Sequence, residues 1–152
     1  MYISYLDYIQ LGEKKLPEFD FRKYEYEAER VVDDVTTGVD GVKKLQVAFP
    51  EDETDKRAVV MTMTALISKL AEITDLKKSI TETGAGGVGG VVASVSSGSE
   101  SISYATSFVS DEVRAATSEE AKQQTLKRIA RDGLRGIKDA NGVNLLYGGS
   151  YV

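Results

Sequence analysis

The sequence predicts a mainly α (α+β) fold, a bundle of about four helices with an inserted β-hairpin and an extended C-terminal tail. Three observations predict it. Apolar residues recur at three- and four-residue spacing in four segments. A Gly/Ser/Val run at 84–99 breaks that spacing and gives way to alternation. The last ten residues are apolar and leave no room for another helix. The predicted helical domain covers residues 1–142, with the hairpin at about 84–106 and the arm at 143–152.

Ser4 followed by Asp7 marks the first helix start, since a serine hydroxyl and a first-turn acid both suit unpaired amides. This short helix carries Leu6, Ile9 and Leu11 and stops at Gly12. Pro17 opens a longer helix at the end where a missing N–H costs least. Phe21, Tyr24, Ala28, Val31, Val32 and Val35 form its stripe, and Gly38 and Gly41 punctuate its end. Pro50 and Glu51-Asp52-Glu53 lead into a third helix, predicted from near Asp55 to about Leu76. At 1.5 Å per residue it is about 33 Å long. Its stripe of Val59, Met63, Leu66, Ile67, Leu70 and Ile73 is the most apolar and is expected at the centre of the core.

Alternation at Val91/Ala93/Val95 and at Ile102/Tyr104 predicts two strands joined near Ser97-Gly98. Thr117-Ser-Glu-Glu120 matches a capping box, in which hydroxyl and carboxylate satisfy each other's backbone donors. The fourth helix that it opens carries Ala121, Leu126, Ile129 and Ala130 and ends around Gly133 to Gly136. Asp139-Ala-Asn-Gly142 reads as a turn. The sequence reads without an internal repeat.

Composition narrows the chemistry. The chain has 152 residues, 41% apolar and 28% charged, the size and balance of one folded domain. Its formal net charge is −5, so it lacks the surplus of cations that tight phosphate-backbone binding requires. Cysteine and histidine are absent. Disulfides, thiolate ligands and the commonest general base and metal ligand are therefore excluded. The N-terminal MYISYLDYIQLGEKK has no basic region before an apolar run, so no signal peptide is expected. No stretch reaches the ~18 apolar residues of a membrane span.

Five features invite a functional reading. Gly84-Ala-Gly86-Gly-Val-Gly89 matches G-x-G-x-x-G, yet a helix precedes it and a β-rich segment follows, the reverse of a dinucleotide fingerprint. It reads as the base of the hairpin. Asp33-Asp34 and Glu51–Glu53 with Asp55 could offer oxygen ligands to a hard cation. The plainer reading puts the first pair on an exposed helical face and the second cluster at a helix N-terminus. Lys122, Lys127, Arg128, Arg131, Arg135 and Lys138 make the fourth helix basic, as a solvated face, a contact with an acidic neighbour or a nucleic-acid face. Tyr2, Tyr5 and Tyr8 recur every third residue, either capping the core or facing another chain. The apolar tail folds onto its own core or docks on a partner as an arm.

Taken in order, these segments resemble a known family. The Tyr2-Ile-Ser-Tyr5-Leu-Asp-Tyr8 helix ending in Gly12, the Phe19 to Thr37 helix closing on Asp33-Asp34-Val-Thr36-Thr37-Gly38, and the core helix with Leu66-Ile67 and Leu70 are similar to the helices of phage head–tail connector (adaptor) proteins of Gram-positive prophages. Ser101-Ile-Ser-Tyr104-Ala105 resembles the family's Ser-x-Ser-Tyr segment. Asn141-Gly142-Val-Asn-Leu145-Leu146-Tyr147 resembles its Gly-x-Pro-Leu-Leu-Tyr-Arg-Gly terminus, with Asn144 in place of the proline and Gly148 in place of the arginine.

The resemblance implies a non-enzymatic virion protein of the neck, made in the bacterial host cytoplasm. Copies would form a ring, dodecameric in the virion, below the portal protein. The ring would extend the DNA channel, let DNA pass without specific binding, and dock the stopper or tail-completion protein, with no membrane contact. The expected partner interface is Val143, Leu145, Leu146, Tyr147, Gly148, Gly149 and Tyr151, with Val95, Ile102 and Tyr104 at a hairpin interface. No catalytic, cofactor or metal residue is expected. The alternatives are another neck protein, a stopper or tail terminator, or a carboxylate metal-dependent hydrolase built on Asp33, Asp34 and the Glu51–Asp55 cluster.

Overall fold

The structure, a computed structural model, describes residues 1–12, 15–82 and 111–147. The predicted hairpin with Val95, Ile102 and Tyr104 lies outside the described residues, as do Gly148, Gly149 and Tyr151 of the arm. Among the described residues there are six helices and no strand, so the fold is mainly α. They are α1 (Tyr5–Leu11), α2 (Glu18–Thr36), α3 (Lys44–Val47), α4 (Glu53–Glu82), α5 (Asp111–Thr117) and α6 (Glu119–Gly133). The chain divides into two compact units, one of Met1–Leu70 with Thr125–Val152 and one of Ala71–Gln124.

In the first unit, α1 starts where the sequence predicts. The Ser4 hydroxyl accepts from the Asp7 amide at 3.1 Å, and the Asp7 carboxylate accepts from the Ser4 amide at 3.4 Å. The face that α1 buries differs from the expected Leu6–Ile9–Leu11 stripe. Tyr8 is fully buried, whereas Leu6 is 71% exposed. Phe21 of α2 sets this choice, because its ring receives Tyr5 at 5.3 Å and Tyr8 at 5.4 Å between centroids. Each hydroxyl still finds an oxygen: Tyr5 donates to the Leu16 carbonyl at 2.6 Å, and Tyr8 meets Ser68 Oγ at 3.3 Å. The tyrosines therefore cap the core, and the exposed tyrosine face is not formed by Tyr2 or Tyr8.

The stripe read on the third helix is buried throughout: Val59, Met63, Leu66, Ile67, Leu70 and Ile73 are all nearly or fully covered. In the first unit Val32, Leu45, Leu126, Ala130, Leu134 and Leu145 are fully buried too. Burying each of the larger side chains stabilises the fold by about 1.5–3 kcal/mol. The end of α6 lies close to α4. A Cβ added at Gly133 would stand 2.2 Å from the Thr62 hydroxyl, so only glycine fits there.

The second unit departs from prediction at two points. The helix that was expected to end at about Leu76 continues to Glu82, because helix-forming lysine, glutamate and isoleucine sustain the ladder past the buried stripe. The predicted Thr117–Glu120 capping box is not formed. Thr117 Oγ1 instead donates to the Val113 carbonyl at 2.8 Å, closing α5, and Ser118 Oγ takes the cap by accepting from Ala121 N at 3.3 Å. α5 is too short for periodicity to reveal, although Ala115 and Ala116 are buried.

Two loops of the first unit share one design that the sequence reading did not detect. After α2, Thr37 bridges Lys43; after α6, Lys138 bridges Asn144. In each, the second residue donates to the carbonyl of the sixth, Gly38 to Val42 and Asp139 to Val143. In each, a glycine at the fifth position donates back to the second, Gly41 to Gly38 and Gly142 to Asp139. Gly41 and Gly142 have φ of 77° and 78°, a region open to glycine and strained for side chains. The predicted Asp139–Gly142 turn is the second of these loops.

Candidate functional site

The segment that follows the second loop, on which the resemblance to connector proteins most depends, is anchored by a lysine. Lys44, at the start of α3, is 1% exposed. Its Nζ donates to the carbonyl oxygens of Asn144 and Leu145, each at 3.4 Å, and of Tyr147. The same ammonium lies 5.6 Å from the centre of the Tyr147 ring, where the π face favours a cation. Burial pushes the Lys44 pKa below its ordinary value, and the carboxylates of Asp139 and Asp40 act against that shift. Carbonyl dipoles and carboxylate charge thus replace the water that the ammonium loses.

Asp139 organises the turn that presents this segment. Its Oδ1 accepts from the amides of Asn141 and Val143, both at 2.9 Å. The Ala140 amide donates to the Ala48 carbonyl at 3.1 Å and the Leu145 amide to the Ile137 carbonyl at 2.8 Å. Asn144 Oδ1 accepts from the Leu146 amide at 2.9 Å, a contact that a proline at this position could not make.

The interface residues expected from sequence therefore fall in different environments. Leu145 is fully buried, Val143 and Leu146 are half-buried, and Tyr147 is 55% exposed. Residues 143–147 belong to the domain. Sequence reasoning missed Lys44 because a Lys-Lys pair after an Asp-Gly turn reads as solvated. Its burial depends on a segment a hundred residues away.

The acidic candidates take structural roles. Asp33 was expected on an exposed face but is 5% exposed. Its carboxylate accepts from the Tyr2 hydroxyl at 2.6 Å and from Gln46 Nε2 at 2.6 Å, with Lys43 Nζ at 3.8 Å. Those partners make burial of the charge tolerable. Tyr2 in turn stacks on Phe49 at 5.8 Å. Burial and the neighbouring Asp33 raise its pKa far above the ordinary value. Asp34 is exposed and pairs with Lys127 at 3.6 Å. Asp52 Oδ1 caps α4 through the Thr54 and Asp55 amides, at 2.9 and 3.2 Å. Among the described residues no group of three or more acidic side chains converges to hold a metal ion, and no helix is long and apolar enough to cross a membrane. An open groove of about 550 Å³, lined by Asp7, Glu53, Lys56 and Arg57 among others, carries charges of both signs.

Among the described residues, Glu25 is an acid whose pKa is raised. It sits one turn before Glu29 on α2, and its Oε1 is buried without a hydrogen-bond partner. Burial, and then hydrogen bonding and repulsion from Glu29, raise its pKa from 4.5 to about 7, while the terminal ammonium opposes the shift. That ammonium lies 3.5 Å from Glu29.

Comparison with protein-family models, curated proteins and solved structures gives no match. The functional reading rests on the residues themselves.

Proposed function

We propose that the chain is a structural subunit of a phage neck, a head–tail connector (adaptor) that forms a ring below the portal, extends the DNA channel and docks the next neck protein. The anchored C-terminal segment is the observation that carries this reading. Leu145, Leu146 and Tyr147 are the residues most like the family's terminus. They run from the core at Leu145 to the surface at Tyr147, held there by Lys44. A fixed exit point lowers the ordering cost when the following residues meet a partner.

The mainly helical fold supports the adaptor over a stopper or tail terminator, which are expected to be richer in β-structure. The engagement of Asp33 with Tyr2 and Gln46 supports a structural role over a hydrolytic one. Function then resides in surfaces, and a closed ring of identical heterologous contacts satisfies every one of them. The acidic net charge of −5 would keep phosphate backbones from adhering in the channel.

The test is to mix the purified chain with the portal protein of the same phage and image the product by negative stain. Rings seated on the portal are expected. A particle that stays monomeric and never binds portal overturns the reading.

A further inference from the structure

The end of α6 and the turn after it bear a positive surface on an acidic protein. Between residues 125 and 147 the charges are Lys127, Arg128, Arg131, Arg135 and Lys138 against Asp132 and Asp139, in a chain of net charge −5. Lys127 is engaged by Asp34 at 3.6 Å and Arg135 by Asp132 at 3.2 Å. Arg128, Arg131 and Lys138 are exposed, and no ion pair joins them to a carboxylate among the described residues. Arg128 and Arg131 lie three residues apart on α6 and so share a face, and Arg135 follows in the turn after the helix.

The same unit carries a surface of opposite sign. Glu51, Asp52 and Glu53 are consecutive and exposed at the start of α4. Asp52 is spent on capping that helix, and Glu53 is shared with Lys56 at 3.1 Å. Glu51 meets no cation among the described residues. The arginines lie on α6 and the glutamates at and just before the start of α4, and the two surfaces are complementary in charge.

We infer that Arg128 and Arg131 of one copy dock on Glu51 and Glu53 of a second copy of this chain, making a head-to-tail contact that can repeat and close. This deepens the ring reading and rests on it. Arginine suits the role because its planar donors match a carboxylate in a two-bond fork. Duplex DNA fits the surface less well. A few cations on an otherwise negative chain release few counterions, and no aromatic side chain interleaves with them for stacking.

A charge exchange on the full chain tests the contact. At low ionic strength, sedimentation and native mass measurement should show the wild-type chain self-associating. Both R128E/R131E and E51R/E53R should weaken association by about tenfold or more, with the helical circular dichroism unchanged. Mixed in equal amounts, the two variants should associate again, in alternation, because each then offers the surface that the other needs. If either variant alone assembles like the wild type, or the mixture does not recover, the contact is overturned, whereas wild-type rings on the portal would leave the ring reading standing. A wild-type chain that stays monomeric at low salt also overturns the contact, and failure to dock on portal as well would remove the ring reading with it. Loss of duplex-DNA retention in R128E/R131E with unaltered self-association overturns it in favour of a nucleic-acid face.

Discussion

Lys44 does work that neither its charge nor its position along the chain announces. A buried ammonium is costly unless its donors are satisfied, and here the carbonyls of Asn144, Leu145 and Tyr147 and a tyrosine ring satisfy it. Lys44→Met keeps the stem and removes the donors, so it should cost about 2 kcal/mol and speed hydrogen exchange at Leu145, Leu146 and Tyr147. A loss below about 0.5 kcal/mol would mean that the lysine only fills space. Glu25 makes a different prediction. Its folded pKa of about 7 exceeds its ordinary 4.5, so between those values the folded chain holds a proton that the unfolded chain has released. Stability should therefore fall as pH rises through that window and stay lower above it. Glu25→Gln should remove this part of the slope, and urea midpoints at about pH 5 and about pH 8 would read it. Parallel curves for the two proteins would exclude the effect. None of these residue-scale features was legible in the sequence, because burial of Lys44, Glu25 and Asp33 is decided by side chains far along the chain.

Elements were easier to read where a periodic stripe was long. The six apolar positions assigned to the third helix are all buried, and Ser4 with Asp7 caps α1 as expected. Short elements escaped because α3 spans four residues and α5 seven, too few to show a period. Periodicity also misjudged α1, since tyrosine is both apolar and polar and its aromatic partner on α2 decided which face turned inward. The paired loops at 37–43 and 138–144 went unnoticed because only a Gly-Val dipeptide is common to both at matching positions. Their shared geometry makes one element-scale prediction. Gly41→Ala and Gly142→Ala would each meet open space, so the cost of either should be conformational, about 1 kcal/mol, and similar for both. Chemical denaturation measures it. A much larger loss at one position would show that its loop bears a load that the other does not.

At the scale of the molecule, the question is where the domain ends and a partner-binding terminus begins. The sequence placed that boundary between residues 142 and 143 because the last ten residues are uniformly apolar, a property that does not separate a segment packed on its own core from one meant for another chain. Packing separates them as far as Tyr147: Leu145 is fully buried and Lys44 holds the Tyr147 carbonyl. Deleting residues 148–152 leaves these contacts in place, so it should lower the urea midpoint by far less than a deletion that starts at residue 143. Deleting residues 143–152 removes Leu145 and the three carbonyl oxygens of Asn144, Leu145 and Tyr147 that solvate Lys44. It should cost at least the ~2–5 kcal/mol of emptying a buried leucine site, a large share of the ~5–15 kcal/mol that holds a domain folded. The shorter deletion is thus the informative one for function. If it abolishes portal docking while the fold persists, the last five residues bind the portal. If docking survives it, the portal contact must lie on the folded domain, and Tyr147 becomes the next residue to replace.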